Sequence, residues 1–267
     1  MDLGTFLNKT KYEKTDMPEG KDGGPVDVTI SMVVNNIRSV SEVTMDYKIE
    51  IMFRESWIDS RLLYPSKKYG NKSVIALHES LMEDLWTPDT FITNAIESQS
   101  PEKDSVSHRS LMRLSKGGRV LISRRISLTL SCLMDLTLFP FDTQVCKMGI
   151  ESYGNTADLL QYSWSQGETK ALTLSKVSLP EFHVDIAYVT SRLEHYATGD
   201  YSRVYACFVL SRAAGFCFLQ LIVPSCAVIV ITWVCLWMDS DGGFQDFIAL
   251  VLTIAFLLFS YNEVMPR

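Results

Sequence analysis

Apolar and polar residues alternate along much of the first 212 residues of this chain. The segment "VDVTISMVV" from Val26 places apolar side chains at every second position, and so does "MDYKIEIMFRE" from Met45. A third segment of this kind, "RVLISRRISLTLSC", begins at Arg119. Alternation with a period of two residues is typical of half-buried strands. Residues 1–212 are therefore predicted to form a sandwich of two antiparallel β-sheets.

Two apolar runs follow the alternating region. The run from Ala213 to Met238 contains no Asp, Glu, Lys, Arg or His, and its length suffices to cross a hydrocarbon core about 30 Å thick. The run from Phe247 to Tyr261 is shorter and reaches that length only with its flanks. We predict transmembrane helices at 213–238 and about 247–265. A buried core helix is the alternative for the first run, and the length of the second run alone does not decide its nature.

Two cysteines, Cys132 and Cys146, flank thirteen residues with Leu-Phe-Pro-Phe-Asp in their middle. We predict a disulfide between them, which requires an oxidising compartment and makes this domain extracellular. The apolar tip of the loop needs an apolar surface to meet: the core, a partner protein or a membrane. Glycosylation sequons at Asn8 and Asn71 agree with an extracellular location.

Charge and motif content exclude several classes of function. The net charge is -6, and the chain has neither a basic stripe nor a nucleic-acid recognition motif. We therefore expect no nucleic-acid partner. The four histidines are scattered, and no zinc spacing, phosphate loop or nucleophile elbow is present. We expect no enzyme activity, no metal and no cofactor.

Four motifs in fixed order resemble those of the Cys-loop receptors, the pentameric neurotransmitter-gated ion channels. They are "WID" from Trp57, "WTPDTF" from Trp86, "FPFD" from Phe139 and "IVPS" from Ile222. The resemblance implies a homo- or hetero-pentamer in the plasma membrane, in contact with lipid and postsynaptic. It also implies that an agonist binds between subunits and opens an ion pore.

The resemblance assigns the apolar tip of the disulfide loop to the coupling of ligand binding to the gate. In the family this tip lies at the junction between the extracellular domain and the membrane helices. The residues implied are Phe139, Pro140, Phe141 and Asp142.

Three further segments resemble the branch gated by GABA, glycine and glutamate, especially invertebrate GABA receptor subunits. They are "VSEVTMDY", "IESYG" and "YATGDYSRV". The resemblance implies a principal face made of Phe91, Glu151, Ser152, Tyr153, Tyr196, Thr198 and Tyr201. The implied complementary face consists of Met52, Arg54 and Ser123.

The chemistry of these side chains fits an amino acid transmitter. Aromatic faces attract an ammonium group, and Glu151 adds an opposite charge. Arg54 offers a planar fork for a carboxylate, with the Ser123 hydroxyl beside it. A solvated arginine on an outer sheet face is the alternative for Arg54. One carboxylate-binding arginine and one ammonium-binding glutamate favour GABA over glutamate.

Two departures from the branch leave the identity of the agonist undecided. Glutamate-gated members carry a second arginine on the preceding strand, where we place Asn35 or its neighbour. Met52 replaces the aromatic residue usual on the complementary face, which leaves biogenic amines, glycine and glutamate as alternatives. Some members also have a second disulfide at the binding loop. Here Tyr188 and Val189 occupy the expected partner region, so we predict that Cys207 is a free thiol.

The pore segment departs most from the family. Anion-selective members show Pro-Ala-Arg where this chain has Phe244, Gln245 and Asp246. A ring of Asp246 would favour cations, whereas the branch resemblance implies chloride. If the pore helix is aligned with the family by counting backward from Pro266 instead, Gln245 and Leu252 lie on the lumen. Asp246 as a helix cap is a further alternative.

The chain has room for only two of the four spanning helices that the family carries. We therefore expect a truncated membrane domain, with the third and fourth helices missing. The alternative function is that of a non-conducting binding or modulatory subunit.

Overall fold

The computed structural model describes residues 12–63, 73–77, 82–100, 110–166, 170–175, 177, 179–237 and 243–264. The strands in these residues are β1 (Val26–Ser41), β2 (Asp46–Ile58), β3 (Val74–Leu77), β4 (Thr90–Ile92), β5 (Ala95–Gln99), β6 (Ser110–Ser115), β7 (Arg119–Ser131), β8 (Thr143–Ser152), β9 (Leu160–Trp164), β10 (Leu172–Leu174), β11 (Phe182–Tyr196) and β12 (Gly199–Arg212). The helices are α1 (Ala214–Cys217), α2 (Val223–Trp237) and α3 (Gly243–Val264). A π-helical segment (Phe218–Ile222) joins α1 to α2, and 3-10 turns occupy Lys21–Gly23 and Ser60–Leu62.

The strands form two sheets. The eight-stranded sheet has the order β10-β1-β2-β7-β6-β3, with β5 also paired to β7 and β9 to β1. The four-stranded sheet has the order β11-β12-β8-β4. The predicted antiparallel sandwich is confirmed for most strand pairs. Two pairs differ, because β1 runs parallel to both β9 and β10. The long chain between these strands supplies the crossover that parallel pairing needs.

The inward faces of both sheets form one hydrophobic core. Alternate residues of β1 and β2 are buried, since successive side chains of a strand point to opposite faces. Tyr47 on β2 meets Phe208 on β12 edge to face across the sandwich, with ring centroids 6.3 Å apart. The Tyr47 hydroxyl donates a hydrogen bond to the carbonyl of Lys147 at 3.1 Å. Burial raises the pKa of Tyr47, so this tyrosine contributes as a neutral donor.

The "WID" and "WTPDTF" motifs meet in the structure. The rings of Trp57 and Trp86 stack edge to face at 5.7 Å. Buried Asp59 accepts hydrogen bonds from Arg61 Nε at 2.9 Å and from the Tyr12 hydroxyl at 3.0 Å. Burial, with Asp59 adding to it, raises the pKa of Tyr12 to about 12. Trp57, Trp86 and Asp59 of these motifs are therefore buried and pack inside the fold.

The helical part differs from the predicted bounds. Helical structure begins at Ala214, and α3 begins at Gly243, four residues before the predicted start. None of the helices in the described residues is both long and apolar enough to be a membrane span. The predicted transmembrane part is therefore not confirmed, and the division at residue 212 into two domains stays a prediction.

Glu55 is a carboxylate between the two sheets. It is 1% exposed and accepts a hydrogen bond from Thr90, the residue before Phe91. Arg124 Nη1 lies 3.9 Å from its Oε2 atom. Burial raises the pKa of Glu55, and Thr90 and Arg124 only partly oppose that effect. A raised folded-state pKa means that Glu55 stabilises the fold best when protonated, below the ordinary glutamate pKa of about 4.3.

We expect Glu55→Gln to raise the thermal unfolding temperature of the chain at pH 7.5, because it removes a buried charge while keeping a side chain of the same shape. The gain should shrink as the pH falls toward the ordinary glutamate pKa of about 4.3, because Glu55 is then protonated in the folded and in the unfolded chain alike. Scanning calorimetry of the detergent-solubilised chain at both pH values measures this. The exposed Glu97 provides the control Glu97→Gln, which should change little. A lower unfolding temperature for Glu55→Gln at pH 7.5 would contradict the expectation.

Candidate functional site

A charged row crosses the outer face of the four-stranded sheet. Phe91 on β4 lies opposite Glu151 on β8, and Glu151 lies opposite Arg203 on β12. Directly opposed residues of neighbouring strands share one face, so these three side chains are adjacent. Arg203 donates from Nε to the Glu151 carboxylate, which is only 4% exposed. The predicted anionic residue of the principal face is therefore already part of an ion pair.

The predicted aromatic residues form two pairs beside this row. Phe91 and Tyr153 meet edge to face with ring centroids 5.6 Å apart, and Tyr196 and Tyr201 meet in the same way at 5.6 Å. Tyr201 is buried, whereas Tyr196 is half exposed and Tyr153 is 80% exposed. The structure thus brings the four rings to the same end of one sheet, and the exposed rings leave aromatic surface free for a ligand.

Arg203 lies at the centre of this arrangement and was missed by the sequence analysis. Its guanidinium is 5.7 Å from the ring centroids of both Tyr196 and Tyr205, and it donates hydrogen bonds to both hydroxyls. Tyr205 in turn donates to Glu194 at 2.8 Å. Burial opposes the charge of Arg203, but the bonds to Glu151 and Tyr205 outweigh it and raise its pKa. The alternation in "YSRV" was a signal that could have found Arg203 on the face of Tyr201.

Two other residues of the predicted principal face have different surroundings. Ser152 donates to Asp89 at 2.6 Å, and Asp89 also accepts from the backbone of Gly154 and the side chain of Asn155. Burial acts to raise the pKa of Asp89, but these hydrogen bonds outweigh it and lower the pKa. Ser152, Gly154 and Asn155 thus connect the chain after β8 to Asp89 of the "WTPDTF" motif by hydrogen bonds. Thr198 lies exposed in the two-residue turn between β11 and β12.

The predicted complementary residues lie together on the outer face of the eight-stranded sheet. Arg54 on β2 is directly opposite Ser123 on β7. Both line a cavity of about 540 Å³, and so does Met52. Arg113 and Arg119, which the sequence analysis did not single out, line the same cavity. Among the described lining residues none is acidic, so this face is cationic.

The residue of β1 directly opposite Arg54 is Ser31. Asn35 lies where the register between β1 and β2 shifts, between Val34 and Asn36. A bulge of this kind re-aims side chains, which the regular alternation of the sequence could not reveal.

The predicted disulfide between Cys132 and Cys146 is confirmed. Cys207 is a buried free thiol, as predicted. Its direct neighbour on β11 is Tyr188, so no cysteine is placed to pair with it there.

A buried ion network ties the disulfide loop to the start of the helices. Arg212, the last residue of β12, donates from Nε and Nη2 to Asp142 at 2.6 and 3.0 Å. It also donates to Glu42, in the turn between β1 and β2. Gln144 adds a hydrogen bond to Asp142 at 2.6 Å. Burial acts to raise the pKa of Asp142, but the bonds from Arg212 and Gln144 outweigh it and lower the pKa.

The apolar tip of the loop divides into two parts. Phe139 packs on the guanidinium of Arg212 at 4.7 Å, and Phe182 covers the same guanidinium at 4.6 Å. Leu138 and Phe141 instead point outward and are 71% and 69% exposed. Pro140 follows Phe139 through a cis peptide bond. The tip therefore holds the arginine with one ring and presents apolar surface with the other.

The remaining predicted residues have little structural description. Asn8 and Asn71 lie outside the described residues. Asp246 lies inside the first turn of α3 rather than before it, and Leu252 on α3 is exposed. In the part of the chain that the structure describes, no group of His, Cys, Asp and Glu side chains could hold a metal ion.

The described residues thus form a β-sandwich with a disulfide-closed loop beside the start of the helices and charged clusters on both outer faces. Residues 3–214 match the neurotransmitter-gated ion-channel ligand-binding domain family, and the chain belongs to this family. The family consists of ligand-gated ion channels and not of enzymes. The interpretation as a Cys-loop receptor is thereby confirmed.

The chain is similar to the glycine receptor subunit beta of Rattus norvegicus, Mus musculus and Homo sapiens. Each is 37% identical to it over 243 residues, which cover 89% of this chain. The chain spans about half the length of these relatives, namely 48%. The predicted closeness to invertebrate GABA receptors is not confirmed.

We expect Arg212→Gln to destabilise the fold by about 3–5 kcal/mol, because it leaves buried Asp142 and partly buried Glu42 without a cation. In the wild type, the lowered pKa of Asp142 means that its stabilising effect is present above about pH 4 and is lost as the pH falls through that pKa. In Arg212→Gln this loss should begin at a higher pH.

Thermal unfolding of the solubilised chain between pH 3 and pH 7 measures both effects. Arg192→Gln, at an exposed arginine of β11, is the matched control and should change stability by less than about 0.5 kcal/mol. Equal losses in the two variants would contradict the assignment of the ion network.

Proposed function

We propose that the chain is a subunit of a pentameric neurotransmitter-gated ion channel whose agonist is a small amino acid bound between subunits. GABA and glycine are the first agonists to test. GABA follows from the side chains of the two faces, and glycine from the names of the relatives. The proposed setting is the plasma membrane, with the strand-rich domain outside the cell and a synapse as the site of action.

The observation that carries this proposal is the separation of two complementary faces. Glu151 and the exposed aromatic rings lie on the outer face of the four-stranded sheet, whereas Arg54 and Ser123 lie on the outer face of the other sheet. The two outer faces point away from each other, so one chain cannot close both over one ligand. Two neighbouring copies, or two related subunits, can do so.

The charges of the two faces suit the two ends of an amino acid. The guanidinium of Arg54 can form paired hydrogen bonds with a carboxylate. At the other end, an ammonium group can rest on the exposed faces of Tyr196 and Tyr153. Because Arg203 already pairs with Glu151 and covers Tyr196, the ammonium competes with Arg203 for this place. Biogenic amines, which have no carboxylate, would leave Arg54 without a partner.

The remainder of the proposal concerns the membrane and the ion. Large apolar side chains of α2 and α3, such as Trp233, Ile229 and Phe256, are exposed, and surfaces of this kind suit contact with lipid or with neighbouring helices. We place the pore along α3, with Leu252 on the lumen. Chloride is the ion implied by the branch, and Asp246 is the residue that would favour cations.

Coupling between the two sites is assigned to the network at Arg212. Agonist must bind the open state more tightly than the closed state for binding to open a pore. Glu42, Asp142 and Arg212 meet directly before Ala213 and α1, with Phe139, Pro140 and Phe141 in the loop beside them. A displacement of this loop would therefore reach the first helix.

The test is current recording from cells that express the complete gene containing this chain. GABA, glycine, glutamate and amines are applied in turn, and the reversal potential is read in low chloride. We expect Arg54→Gln to raise the half-maximal agonist concentration by about 30- to 1,000-fold, the cost of an unpaired carboxylate. Lys48→Gln, six residues before Arg54 on the same face of β2, is the control.

An equal response in wild type, Arg54→Gln and Lys48→Gln would contradict the assignment of the carboxylate site. Silence to every ligand with normal surface labelling would contradict the channel proposal for a homomer of this chain. A reversal potential that shifts with the chloride concentration identifies an anion channel. A reversal potential that is independent of chloride identifies a cation channel.

A further inference from the structure

The buried carboxylate of Glu55 belongs to neither of the two proposed agonist faces. Its side chain is 1% exposed and lies inside the sandwich, whereas that of Arg54, the residue before it on β2, lies on the outer face. Successive side chains of a strand point to opposite faces, so the alternation that brings Arg54 outward buries Glu55. A buried carboxylate costs free energy unless it is hydrogen-bonded or paired. The role of Glu55 therefore depends on the residues that it contacts.

Glu55 is hydrogen-bonded to the strand that carries Phe91. The Thr90 hydroxyl on β4 donates to Glu55 Oε1, and the oxygen of the same hydroxyl lies 2.8 Å from the Tyr162 hydroxyl on β9. A threonine hydroxyl has one proton. Because Thr90 donates that proton to Glu55, it accepts the proton of Tyr162. The three side chains thus form one directed chain of hydrogen bonds, from Tyr162 through Thr90 to Glu55.

This hydrogen-bonded chain runs directly beneath residues of both agonist faces. The backbone nitrogen of Tyr162 donates to Ser202 Oγ on β12 at 2.9 Å, which connects the chain to a third strand. The residues that are neighbours along the sequence are Arg54 and Glu55 on β2, Thr90 and Phe91 on β4, and Ser202 and Arg203 on β12. The inward side chains that bond to one another therefore fix the strand segments whose outward side chains form the two faces.

Charged groups from several elements act on this chain. Arg124 Nη1 on β7 lies 3.9 Å from Glu55 Oε2. Burial raises the pKa of Tyr162, and Glu55, Asp89 and Glu151 add to that effect, so Tyr162 is a neutral donor. Burial also raises the pKa of Glu55, and the charge of Arg124 opposes this only in part. Glu55 therefore takes up a proton at a higher pH than an ordinary glutamate, whose pKa is about 4.3.

We propose that Glu55 is a positioning residue for agonist binding and that extracellular protons act on the receptor through it. Its negative charge strengthens the hydrogen bond from Thr90 and thereby holds Phe91 in place relative to Arg54. A proton on Glu55 removes the charge and weakens this bond, so that Phe91 and its ring partner Tyr153 are held less firmly. This inference rests on the proposed function, since it assumes that an agonist binds at these faces.

The experiment measures the agonist response at external pH 7.5 and pH 5.5, on the receptor expressed from its complete gene, with GABA and with glycine. We expect the lower pH to raise the half-maximal concentration of the wild type by about three- to tenfold, the difference between a charged and a neutral acceptor. Glu55→Gln keeps an accepting oxygen without the charge. It should respond at pH 7.5 as the wild type does at pH 5.5, and it should change by less than about twofold between the two pH values.

Two variants of Thr90 separate the hydrogen bond from the charge. Thr90→Val keeps the shape of the side chain and leaves Glu55 free to titrate, but it removes the hydroxyl, so the pH response should be lost. Thr90→Ser keeps the hydroxyl and should keep the pH response. This pair also decides the question if Glu55→Gln fails to reach the cell surface.

Glu97→Gln, at an exposed carboxylate of β5, is the matched control for Glu55→Gln. It should behave as the wild type at both pH values, and surface labelling should be equal for all variants. Titratable groups outside the hydrogen-bonded chain contribute equally to the wild type and to every variant, so the comparison isolates the part of the pH response that depends on Glu55.

The outcomes distinguish a failure of this inference from a failure of the proposed function. A wild-type response that is the same at both pH values would overturn the inference. So would a full pH response in Glu55→Gln, or equal pH responses in Thr90→Val and Thr90→Ser. In each of these cases an amino acid still opens the channel, and the proposed function stands. If no amino acid produces current at surface-labelled receptors, the proposed function fails and the inference fails with it.

Discussion

The organisation of this chain depends on the burial of one arginine, Arg212, between two carboxylates and two aromatic rings. A buried cation is tolerated only when its charge and hydrogen-bond donors are satisfied, and here Asp142 and Glu42 satisfy them. Each partner comes from a different part of the chain. The ion network therefore fixes the turn between β1 and β2, the disulfide loop and the end of β12 relative to one another, directly before the helices.

Much of the fold followed from the alternation of apolar and polar residues. The pattern predicted the inward faces of β1, β2 and β7, and it correctly placed Arg54 and Ser123 on an outward face. It could not predict that β9 and β10 run parallel to β1, because alternation reports which face is buried and carries no direction. Nor could it locate the shift in register at Asn35, which depends on the neighbouring strand.

The candidate site was predicted less completely than the fold. The motifs identified residues that lie together in the structure, such as Phe91 with Tyr153. They did not show that Glu151 is already paired with Arg203, or that Ser152 is committed to Asp89. Arg113 and Arg119 looked like ordinary surface arginines in the sequence. Only the register of β6 and β7 shows that they share a cavity with Arg54.

Strand β12 carries both Arg203, within the aromatic cluster, and Arg212, within the ion network. Arg212 follows Arg203 by nine positions of extended backbone, about 30 Å at the rise of a strand. An extended strand is already near its full length, and hydrogen bonds to β8 and β11 along both edges resist bending. Strand β12 is therefore stiff along its length. If a ligand displaced Arg203 from Glu151, the strand would stretch little, and the displacement would be passed on to Arg212 at its other end.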